Sequence, residues 1–334
     1  MVCRKIFIAW SRLSSRTIRY ARFLGLKVYF IRDPPPYLRA FFYTLAILLR
    51  RRNDIVFVQL APGPLLMLAA IMKFMRRFFL VADMHSFFLW PSSAKGIIIN
   101  KPFGFFLRYC DLILVHADIV KHMMPANLRR KTVVALDPPI ELNSEGRMPE
   151  EEGSLTIVFP ASFAEDEPIE NIIMAVKTLS SRGYNIKLIV TGRYERRPEL
   201  LKYSDNKHII FTGFLPRGKY YEVLRNCDLI AALTKAKHSL MAVALEALSL
   251  GKPLILSDQP VFKPIFGENF MYTDNTVDDL IEKISYIYEN REILDTLRRG
   301  VKKAKLRYVS RFKATVKALS KILRWICEKR SARR

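Results

Sequence analysis

Cysteine is scarce in this sequence of 334 residues, which contains only Cys3, Cys110, Cys227 and Cys327. No two of them stand in a CxxC pair, so their spacing gives no zinc site. Widely separated cysteines are typical of proteins from reducing compartments, where disulfides are rare. We therefore expect neither a disulfide framework nor a structural metal.

Long apolar runs are missing as well. The longest, Ala40–Leu49 and Leu65–Met72, fall well short of the roughly 20 apolar residues that a membrane-spanning helix requires. Near the amino end, Arg4 and Lys5 precede only the short run Ile6–Trp10, which does not fit a secretory signal. We expect a protein that crosses no bilayer, and attachment to a membrane surface stays open.

Several catalytic motifs are also absent. The sequence has no phosphate-binding P-loop and no GxGxxG, which excludes the common nucleoside triphosphate and dinucleotide fingerprints. Neither a GxSxG elbow nor HExxH occurs. An Asp-x-Asp that would hold a metal-bound nucleotide diphosphate is missing, and the five histidines lack metal-ligand spacing. The sequence therefore predicts no metal site and no cofactor.

Acidic residues are few at both ends of the chain. The whole sequence has 55 Lys and Arg against 31 Asp and Glu, a formal net charge of +24. Residues 1–140 contain 22 basic and 6 acidic side chains, and residues 298–334 contain 15 basic side chains and one acid. A basic field of this strength suits nucleic acid, anionic lipid or a phosphorylated ligand. Charge alone leaves all three partners open.

What the sequence does have is an alternation of short apolar runs with helical patterns. Candidate strands in its first part are Lys5–Trp10, Lys27–Ile31, Asp54–Leu60, Phe78–Ala82, Leu112–His116 and Thr132–Leu136. Candidate helices lie near 15–24, 37–51, 63–76, 101–109 and 117–124. Continuous apolar strands separated by helices are typical of a parallel sheet covered on both faces.

The alternation resumes after the polar segment 141–153, which has the composition of a linker. The later candidate strands are Leu155–Phe159, Lys187–Thr191, His208–Thr212, Leu229–Leu233 and Pro253–Ser257, and the helices are Pro168–Ser181, Lys219–Asn226, Ser239–Leu250, 276–289 and 291–323. We predict an α/β fold with two Rossmann-like parallel-sheet lobes, 1–140 and 154–300, and a basic C-terminal helix in 301–334. Ligands are expected at the carboxyl ends of the strands, in a cleft between the lobes.

The segment 234–258 offers the clearest chemistry in the second lobe. It enters a helix at Ser239, a favourable N-cap residue. A helix N-terminus supplies free N–H groups and partial positive charge, which suit a diphosphate. Glu246 lies two turns further along in an apolar run, where a carboxylate needs hydrogen-bond donors. The hydroxyls of a ribose would serve, and so would a neighbouring Lys or Arg.

This segment resembles the C-terminal signature of the GT-B sugar transferases of the group 1 and glycogen synthase family. That signature is a Glu, seven residues, Glu-Ala, then Gly-x-Pro and a short strand. Here it is matched by Glu246-Ala247, Gly251-Lys252-Pro253 and Ser257-Asp258, whereas His238 stands where the first Glu is expected. The resemblance covers roughly residues 5–290. It implies a GT-B fold with an interlobe cleft and a nucleotide-sugar substrate.

The resemblance also implies a set of donor-binding residues: Ser162, Gly192, Arg193, Phe214, Thr234, Ser239, Leu240 and Glu246. In most of the family an Arg and a Lys in the first loop of this lobe grip the diphosphate, whereas Ser162 and Glu167 stand at those positions here. Lys235 and Lys237 are candidates to replace that charge, and a solvated loop pair is the alternative. His238 is expected either to take part in catalysis by contacting the donor or to orient its loop.

The loop from Ser162 to Asp166 and Glu167 has the form Ser-x-x-x-Asp-Glu and resembles that of one branch of this family, the mannosyltransferases that extend chitobiosyl-dolichol diphosphate. That branch has an Arg-Ser-x-Arg-like turn after its first strand and Asp-x-His after its fourth, to which Ser14-Ser15-Arg16 and Asp83-Met84-His85-Ser86 correspond. The resemblance implies that Ser15, Arg16 and Ser86 bind the acceptor and that Asp83 or His85 accepts the proton of its hydroxyl. The alternative is a turn in which Asp83 caps the next segment and His85 hydrogen-bonds to it.

The end of the chain is compatible with a membrane surface. An apolar helix face is formed by Val309, Phe312, Val316, Leu319, Leu323 and Ile326, and Lys313, Lys317 and Lys321 form a basic stripe. Packing within the protein is the simpler explanation of the apolar face. The last helix of GT-B enzymes returns to the first lobe, which would join the two basic regions. The apolar helix Tyr37–Leu49 is expected to be either buried or seated among lipid headgroups.

We therefore predict a metal-independent hexosyltransferase that moves a sugar from a UDP- or GDP-sugar to a lipid-linked or glycan acceptor. It is expected to be peripheral on the cytoplasmic face of an anionic membrane and to bind no nucleic acid. Two alternatives stay open. A nucleic-acid-binding protein would use the same basic charge, although no RNA-reading motif is present. A GT-B partner subunit without catalysis would explain Ser162, Glu167 and His238.

Overall fold

Parallel strands alternate with helices throughout the computed structural model, which describes residues 3–51, 54–85, 88–90, 94–142, 153–268 and 270–331. Internal contacts divide the chain into two units. The first unit comprises Met1–Pro138 and Ser310–Arg334, and the second comprises Pro139–Val309. Within the described residues, each unit is built on a six-stranded sheet whose paired strands are all parallel.

The sheet of the first unit has the strand order β2-β1-β3-β4-β5-β6. Its strands are β1 (Lys5–Trp10), β2 (Lys27–Ile31), β3 (Ile55–Leu60), β4 (Phe79–Met84), β5 (Leu112–Val115) and β6 (Thr132–Val134). Its helices are α1 (Ser15–Leu24), α2 (Leu38–Leu49), α3 (Gly63–Arg76), α4 (Ala94–Asn100), a 3₁₀ helix (Lys101–Tyr109), α5 (Asp118–Met123) and α6 (Ala126–Arg129). Crossover connections between parallel strands are right-handed. Across the sheet, the chain moves in one direction from β1 to β2 and in the opposite direction from β2 through to β5. Therefore α1 lies on one face of the sheet, and α2, α3 and α4 lie on the other.

Local sequence sets the bounds of these elements. All six residues of β3 are buried, as expected for a strand covered on both faces. Helix α1 begins where the side chain of Ser14 accepts a hydrogen bond from the backbone N–H of Thr17. It ends at Gly25, whose φ of 65° is left-handed and suits a residue without Cβ.

The last helix, α12 (Ile293–Ser331), contributes its residues from Ser310 onward to the first unit. Phe312 packs edge-on against Phe23 and Tyr20 of α1, with ring centroids 5.3 and 5.9 Å apart. This contact explains why the apolar face of the helix is buried at Phe312.

A disulfide also joins the last helix to the start of the chain. Cys327 is bonded to Cys3, and their Cα atoms are 5.5 Å apart. The expectation that the cysteines form no disulfide was wrong. The pair is separated by 324 residues, so only the path of α12 reveals it. Cys110 and Cys227 are free and buried.

The sheet of the second unit has the strand order β12-β11-β10-β7-β8-β9. Its strands are β7 (Leu155–Pro160), β8 (Ile186–Thr191), β9 (Ile209–Gly213), β10 (Leu229–Ala232), β11 (Leu254–Ser257) and β12 (Tyr272–Thr273). Its helices are α7 (Ile169–Ser181), α8 (Arg217–Asn226), α9 (Ala242–Leu250), α10 (Lys263–Phe266) and α11 (Val277–Glu289), with 3₁₀ helices at Tyr194–Arg196 and Pro198–Tyr203. Apolar side chains of α7 and α11 close its core against β7 and β8.

Two Rossmann-like parallel sheets confirm the predicted fold class. One element bearing on function was misplaced: the helix predicted to begin at Ser239 begins at Ala242, after Met241, which makes no side-chain capping hydrogen bond. A favourable N-cap residue is not used when the backbone around it turns instead, as it does at 237–238. Among the described residues, no helix is both long and apolar enough to cross a membrane.

Candidate functional site

The side chains of Ser257 and Asn275 and the backbone of Thr234 form a buried ring of hydrogen bonds at the carboxyl ends of β10, β11 and β12. The backbone N–H of Thr234 donates to Ser257 Oγ at 2.8 Å, and that hydroxyl donates to Asn275 Oδ1 at 2.6 Å. Asn275 Nδ2 then donates to the carbonyl of Thr234 at 3.4 Å. Since buried polar groups require such partners, the ring fixes the start of the loop that follows β10.

The same loop is bound to the loop that follows β7. Thr234 Oγ1 donates to Asp166 Oδ2 at 2.6 Å, and the backbone N–H of Lys235 donates to the carbonyl of Asp166 at 2.7 Å. Thr234 is therefore held by its backbone on one side and by its hydroxyl on the other. It positions the loop, and sequence reasoning missed its partner Asp166.

The loop after β7 is folded around its own carboxylate. Glu167 accepts hydrogen bonds from the backbone N–H of Ser162 at 2.9 Å, from Ser162 Oγ at 2.9 Å and from the N–H of Ala164 at 3.3 Å. Burial raises the pKa of Glu167, and the donors of Ser162 act in the opposite direction. Ser162 and Glu167, which stand where the family has Arg and Lys, thus contact each other. Glu167 holds the loop that contains Ser162 in its shape.

Gly192 lies where this loop meets the end of β8. A Cβ at Gly192 would stand 2.0 Å from the carbonyl oxygen of Ala161, and the φ of Gly192 is 118°. Only glycine satisfies both conditions, because other residues are strained at such a φ and the obstacle is backbone. Gly192 therefore allows two strand-end loops to approach closely.

Glu246 is held by two tyrosines of α8. Tyr220 Oη donates to Glu246 Oε2 at 2.5 Å, and Tyr221 Oη donates to Glu246 Oε1 at 3.4 Å. Burial raises the pKa of Glu246, although the two tyrosines and the charge of Arg217 lower it. The sequence left a neighbouring Lys or Arg as the local partner of Glu246, whereas both hydrogen-bond donors found in the protein are phenols. The aromatic pair at 220–221 was the signal that sequence reasoning overlooked.

The remaining predicted donor residues lie around these groups. Ser239 and Leu240 are half-buried and precede α9, with the N–H of Ser239 donating to the carbonyl of Ala236. Burial lowers the pKa of His238, although the charge of Asp166 raises it, so the imidazole is neutral at pH 7. Arg193 and Phe214 form a separate exposed pair, with the guanidinium carbon 4.9 Å from the ring centroid.

In the first unit, a buried arginine joins two strand ends. Arg16 Nε donates to Asp83 Oδ1 at 2.9 Å, and Arg16 Nη1 donates to Asp137 Oδ1 at 2.8 Å. Burial lowers the pKa of Arg16, but the negative charges of Asp83 and Asp137 have the larger combined effect, so the pKa of Arg16 is raised. Burial raises the pKa of Asp137, but the positive charge of Arg16 lowers it by more, so the pKa of Asp137 is lowered. Asp137 was not among the residues predicted from the sequence.

His85 lies beside this ion-pair cluster. Its Nε2 is 3.9 Å from Asp83 Oδ2, and both atoms are buried without a hydrogen-bond partner among the described residues, as is Arg16 Nη2. Burial lowers the pKa of His85, although the charge of Asp83 raises it. These three atoms have unused hydrogen-bonding capacity, which is a reason to expect a polar ligand nearby.

The predicted acceptor residues differ in their surroundings. Arg16 is buried in its ion pairs, whereas Ser15 is exposed at the first position of α1. Ser86 lies outside the described residues. Asp83 accepts a hydrogen bond from Arg16, and the segment that it was alternatively expected to cap includes residues outside the described part of the chain. No group of three or more His, Cys, Asp or Glu side chains in the described part of the chain could hold a metal ion.

Comparison with known proteins bears on the second unit directly. Residues 143–307 match the family described as Glycosyl transferases group 1. This stretch, about half of the chain, is similar to the glycosyl transferases of group 1. It contains every donor residue discussed above, and it confirms the resemblance drawn from Glu246-Ala247 and Gly251-Lys252-Pro253. No curated protein matches the chain.

Solved structures of the same fold align with both units. HepE of Anabaena, crystallised with UDP and glucose, is 14% identical with a TM-score of 0.68, and the alignment covers 95% of this chain and 91% of HepE. Sucrose-phosphate synthase from Thermosynechococcus elongatus is 14% identical with a TM-score of 0.69, covering 97% and 99%. The lipopolysaccharide outer core galactosyltransferase WaaB, in its apo form, is 14% identical with a TM-score of 0.65, covering 94% and 99%. At this identity the similarity establishes the GT-B fold.

Proposed function

We propose that this chain is a hexosyltransferase that uses a UDP- or GDP-sugar as donor. The observation that carries the proposal is the position of Glu246, a buried carboxylate on the helix after β10 of a group 1 domain. Its two phenolic partners are donors that a pair of ribose hydroxyls would replace or join. The presence of UDP in the HepE crystals supports a nucleotide donor for this fold.

The donor diphosphate would lie at the beginning of α9. Thr234, Ser239 and Leu240 precede this helix, and its free backbone N–H groups suit a diphosphate. His238 belongs to the same loop, and as a neutral imidazole it is able to donate one hydrogen bond and accept another. Arg193 and Phe214 would hold the base, since an exposed ring and a guanidinium offer stacking surfaces.

The acceptor would be activated in the first unit. His85 is the preferred base, because its lowered pKa leaves the imidazole unprotonated at neutral pH. Asp83 would orient it from 3.9 Å, and Arg16 would hold Asp83 in place. We propose that Ser15 and Ser86 bind the acceptor. Arg16 acts chiefly through Asp83 in this proposal, because two carboxylates occupy its guanidinium.

We further propose a lipid-linked or glycan acceptor at the cytoplasmic face of a membrane, and transfer without a metal ion. The loop of Ser162, Asp166 and Glu167 favours the branch of mannosyltransferases acting on chitobiosyl-dolichol diphosphate, in which case the transferred sugar is mannose. The excess of basic residues in 1–140 supports attachment to an anionic surface.

Thermal unfolding with a panel of UDP-, GDP- and ADP-sugars tests the donor assignment. A bound donor raises the apparent Tm in a concentration-dependent way. We expect one nucleotide series to do so in the presence of EDTA, with the mannose donor leading if the branch assignment is right. A panel in which no nucleotide sugar shifts Tm at millimolar concentration would count against a nucleotide-sugar site.

A further inference from the structure

Four neighbouring helices of the first unit, α2, α3, α4 and the 3₁₀ helix Lys101–Tyr109, present an apolar outer surface. Helices α2 and α3 pack side by side, and α3 packs in turn against the 3₁₀ helix Lys101–Tyr109. We call the exposed side chains of 38–49, 71–75 and 97–108 the helical face. Its prominent members are Phe42, Tyr43, Phe74, Met75, Ile98 and Phe105.

These side chains are exposed to an extent that packing within the chain does not explain. Phe42 is 64% exposed, Phe74 is 66% exposed and Ile98 is 73% exposed. An aromatic row connects two of the helices, because the ring of Tyr109 lies 5.2 Å from Phe74 and 6.0 Å from Phe105. Scattered apolar residues are normal on a surface, but a contiguous patch marks a binding surface.

The charge of the helical face indicates what it binds. The segments 38–49, 63–76 and 97–109 contain no Asp or Glu. Exposed basic side chains stand on or beside them at Arg39, Arg50, Arg77, Lys101 and Arg108. The guanidinium carbon of Arg108 lies 3.7 Å from the ring centroid of Phe105. Apolar rings with cations and no acids complement acyl chains beneath anionic headgroups.

We propose that the helical face inserts into the surface of an anionic lipid bilayer. Phe42, Phe74 and Met75 enter the boundary between headgroups and acyl chains, and the flanking Arg and Lys side chains contact lipid phosphates. The proposal deepens the proposed function by naming the surface that contacts the membrane. It rests on that function only in taking the membrane as the site of the acceptor.

The helical face makes a different prediction from the basic stripe of α12. Lys313, Lys317 and Lys321 are exposed, and attachment through them alone would be electrostatic. Raising salt from about 0.1 M to about 1 M shortens the screening length from about 10 Å to about 3 Å. Electrostatic attachment would disappear over that range, whereas attachment through inserted apolar side chains persists in part.

Sedimentation with phosphatidylcholine vesicles, with and without phosphatidylglycerol, tests the proposal at both salt concentrations. The full chain should bind the anionic vesicles and remain partly bound at high salt. The triple variant Phe42→Ser, Phe74→Ser and Met75→Ser should lose at least tenfold in partitioning at high salt. The matched control, Met174→Ser with Tyr286→Ser and Leu306→Ser, removes exposed apolar side chains of the second unit and should bind as the unsubstituted protein does.

Folding and catalysis are followed separately in the same variants. Circular dichroism melts should coincide for the full chain and the triple variant, since the substituted side chains are on the surface. The triple variant should still turn over nucleotide sugar in detergent. If neither the full chain nor any variant shows turnover, the result counts against the proposed transferase activity and not against the helical face. Equal high-salt binding by the folded triple variant would overturn the proposal. The proposal would also be overturned if the protein formed an oligomer without lipid, and the triple substitution dissociated that oligomer but left vesicle binding unchanged.

Discussion

Glu246 is enclosed by α8 and α9, and its environment has two consequences. Its carboxylate is buried and has a raised pKa, so ionisation is unfavourable in the absence of further donors. Tyr220 and Tyr221 supply two hydrogen bonds, of which the one at 3.4 Å is long. Glu246 is thus a group that gains from a ligand with hydroxyl donors, which is what its proposed role requires.

We expect Glu246→Gln to reduce nucleotide-sugar turnover at least tenfold while leaving the fold intact. The amide keeps the shape of the side chain but replaces one acceptor oxygen with a donor, and a tenfold loss corresponds to about 1.4 kcal/mol. Steady-state kinetics with the donor found in the panel measures the effect. The control is Glu222→Gln, which changes an exposed carboxylate on α8 and should leave turnover unchanged. Unaltered kinetics in a folded Glu246→Gln protein would remove Glu246 from the donor site.

The pH dependence of stability should reflect the same carboxyl group. A raised pKa means that the folded state binds the proton more tightly than the unfolded state. This contribution is fully present below the ordinary glutamate pKa and is lost as pH rises through the folded-state pKa. The free energy of unfolding of the unsubstituted protein should therefore fall relative to Glu246→Gln as pH rises from the ordinary glutamate pKa upward. Urea denaturation of both proteins across that range checks it, and a difference that grows in the opposite direction contradicts the raised pKa.

At the scale of elements, the close approach of the loops after β7 and β8 depends on one glycine. Gly192→Ala introduces a Cβ 2.0 Å from a backbone oxygen at a φ of 118°. We expect it to lower the free energy of unfolding by more than about 2 kcal/mol, since both clash and strain contribute. Gly218→Ala in α8 is the matched control, because its Cβ would meet nothing within 4 Å and alanine favours a helix by up to about 1 kcal/mol. Equal stability of the two variants would contradict the account of Gly192.

Asp137→Asn tests how the first unit holds its strand ends together. Removing one carboxylate leaves the buried Arg16 with Asp83 alone, and a hydrogen bond to a charged group contributes about 2 kcal/mol. Because the pKa of Asp137 is lowered, its contribution is present above the ordinary aspartate pKa and is lost as pH falls through the folded-state pKa. Urea denaturation should therefore show a deficit for Asp137→Asn at neutral pH that shrinks in acid. Asp118→Asn, in a partly exposed pair with Arg311, is the control and should change stability little.

The sequence predicts the strands of both sheets well, because buried parallel strands appear as continuous apolar runs. The elements it misses are those without periodicity, such as the two-residue strand β12 and the turn that delays α9 to Ala242. Side-chain partners are harder to foresee. Glu246 stands out as a carboxylate in an apolar run, but its tyrosines lie 25 and 26 residues earlier in the chain. Arg16 and Asp137 are 121 residues apart, so only the completed sheet brings them together.

At the scale of the whole molecule, the chain combines a segment similar to the group 1 glycosyl transferases with a basic first unit. The sequence offers no Asp-x-Asp, and the described part of the chain has no cluster of His, Cys, Asp and Glu that could hold a metal ion. We therefore expect turnover to be unchanged in excess EDTA. A loss of turnover that manganese or magnesium restores would show that a metal ion takes part.

Transfer of radiolabelled sugar from a nucleotide donor to an extracted membrane lipid fraction tests the central claim most directly. Purified protein would be incubated with each labelled UDP- and GDP-sugar, and the label recovered in lipid or released glycan would be counted. We predict incorporation from one donor, at least tenfold lower with Glu246→Gln and unchanged with Glu222→Gln. Binding of a nucleotide sugar without incorporation into any lipid or glycan acceptor would contradict the account and favour a GT-B subunit without catalysis.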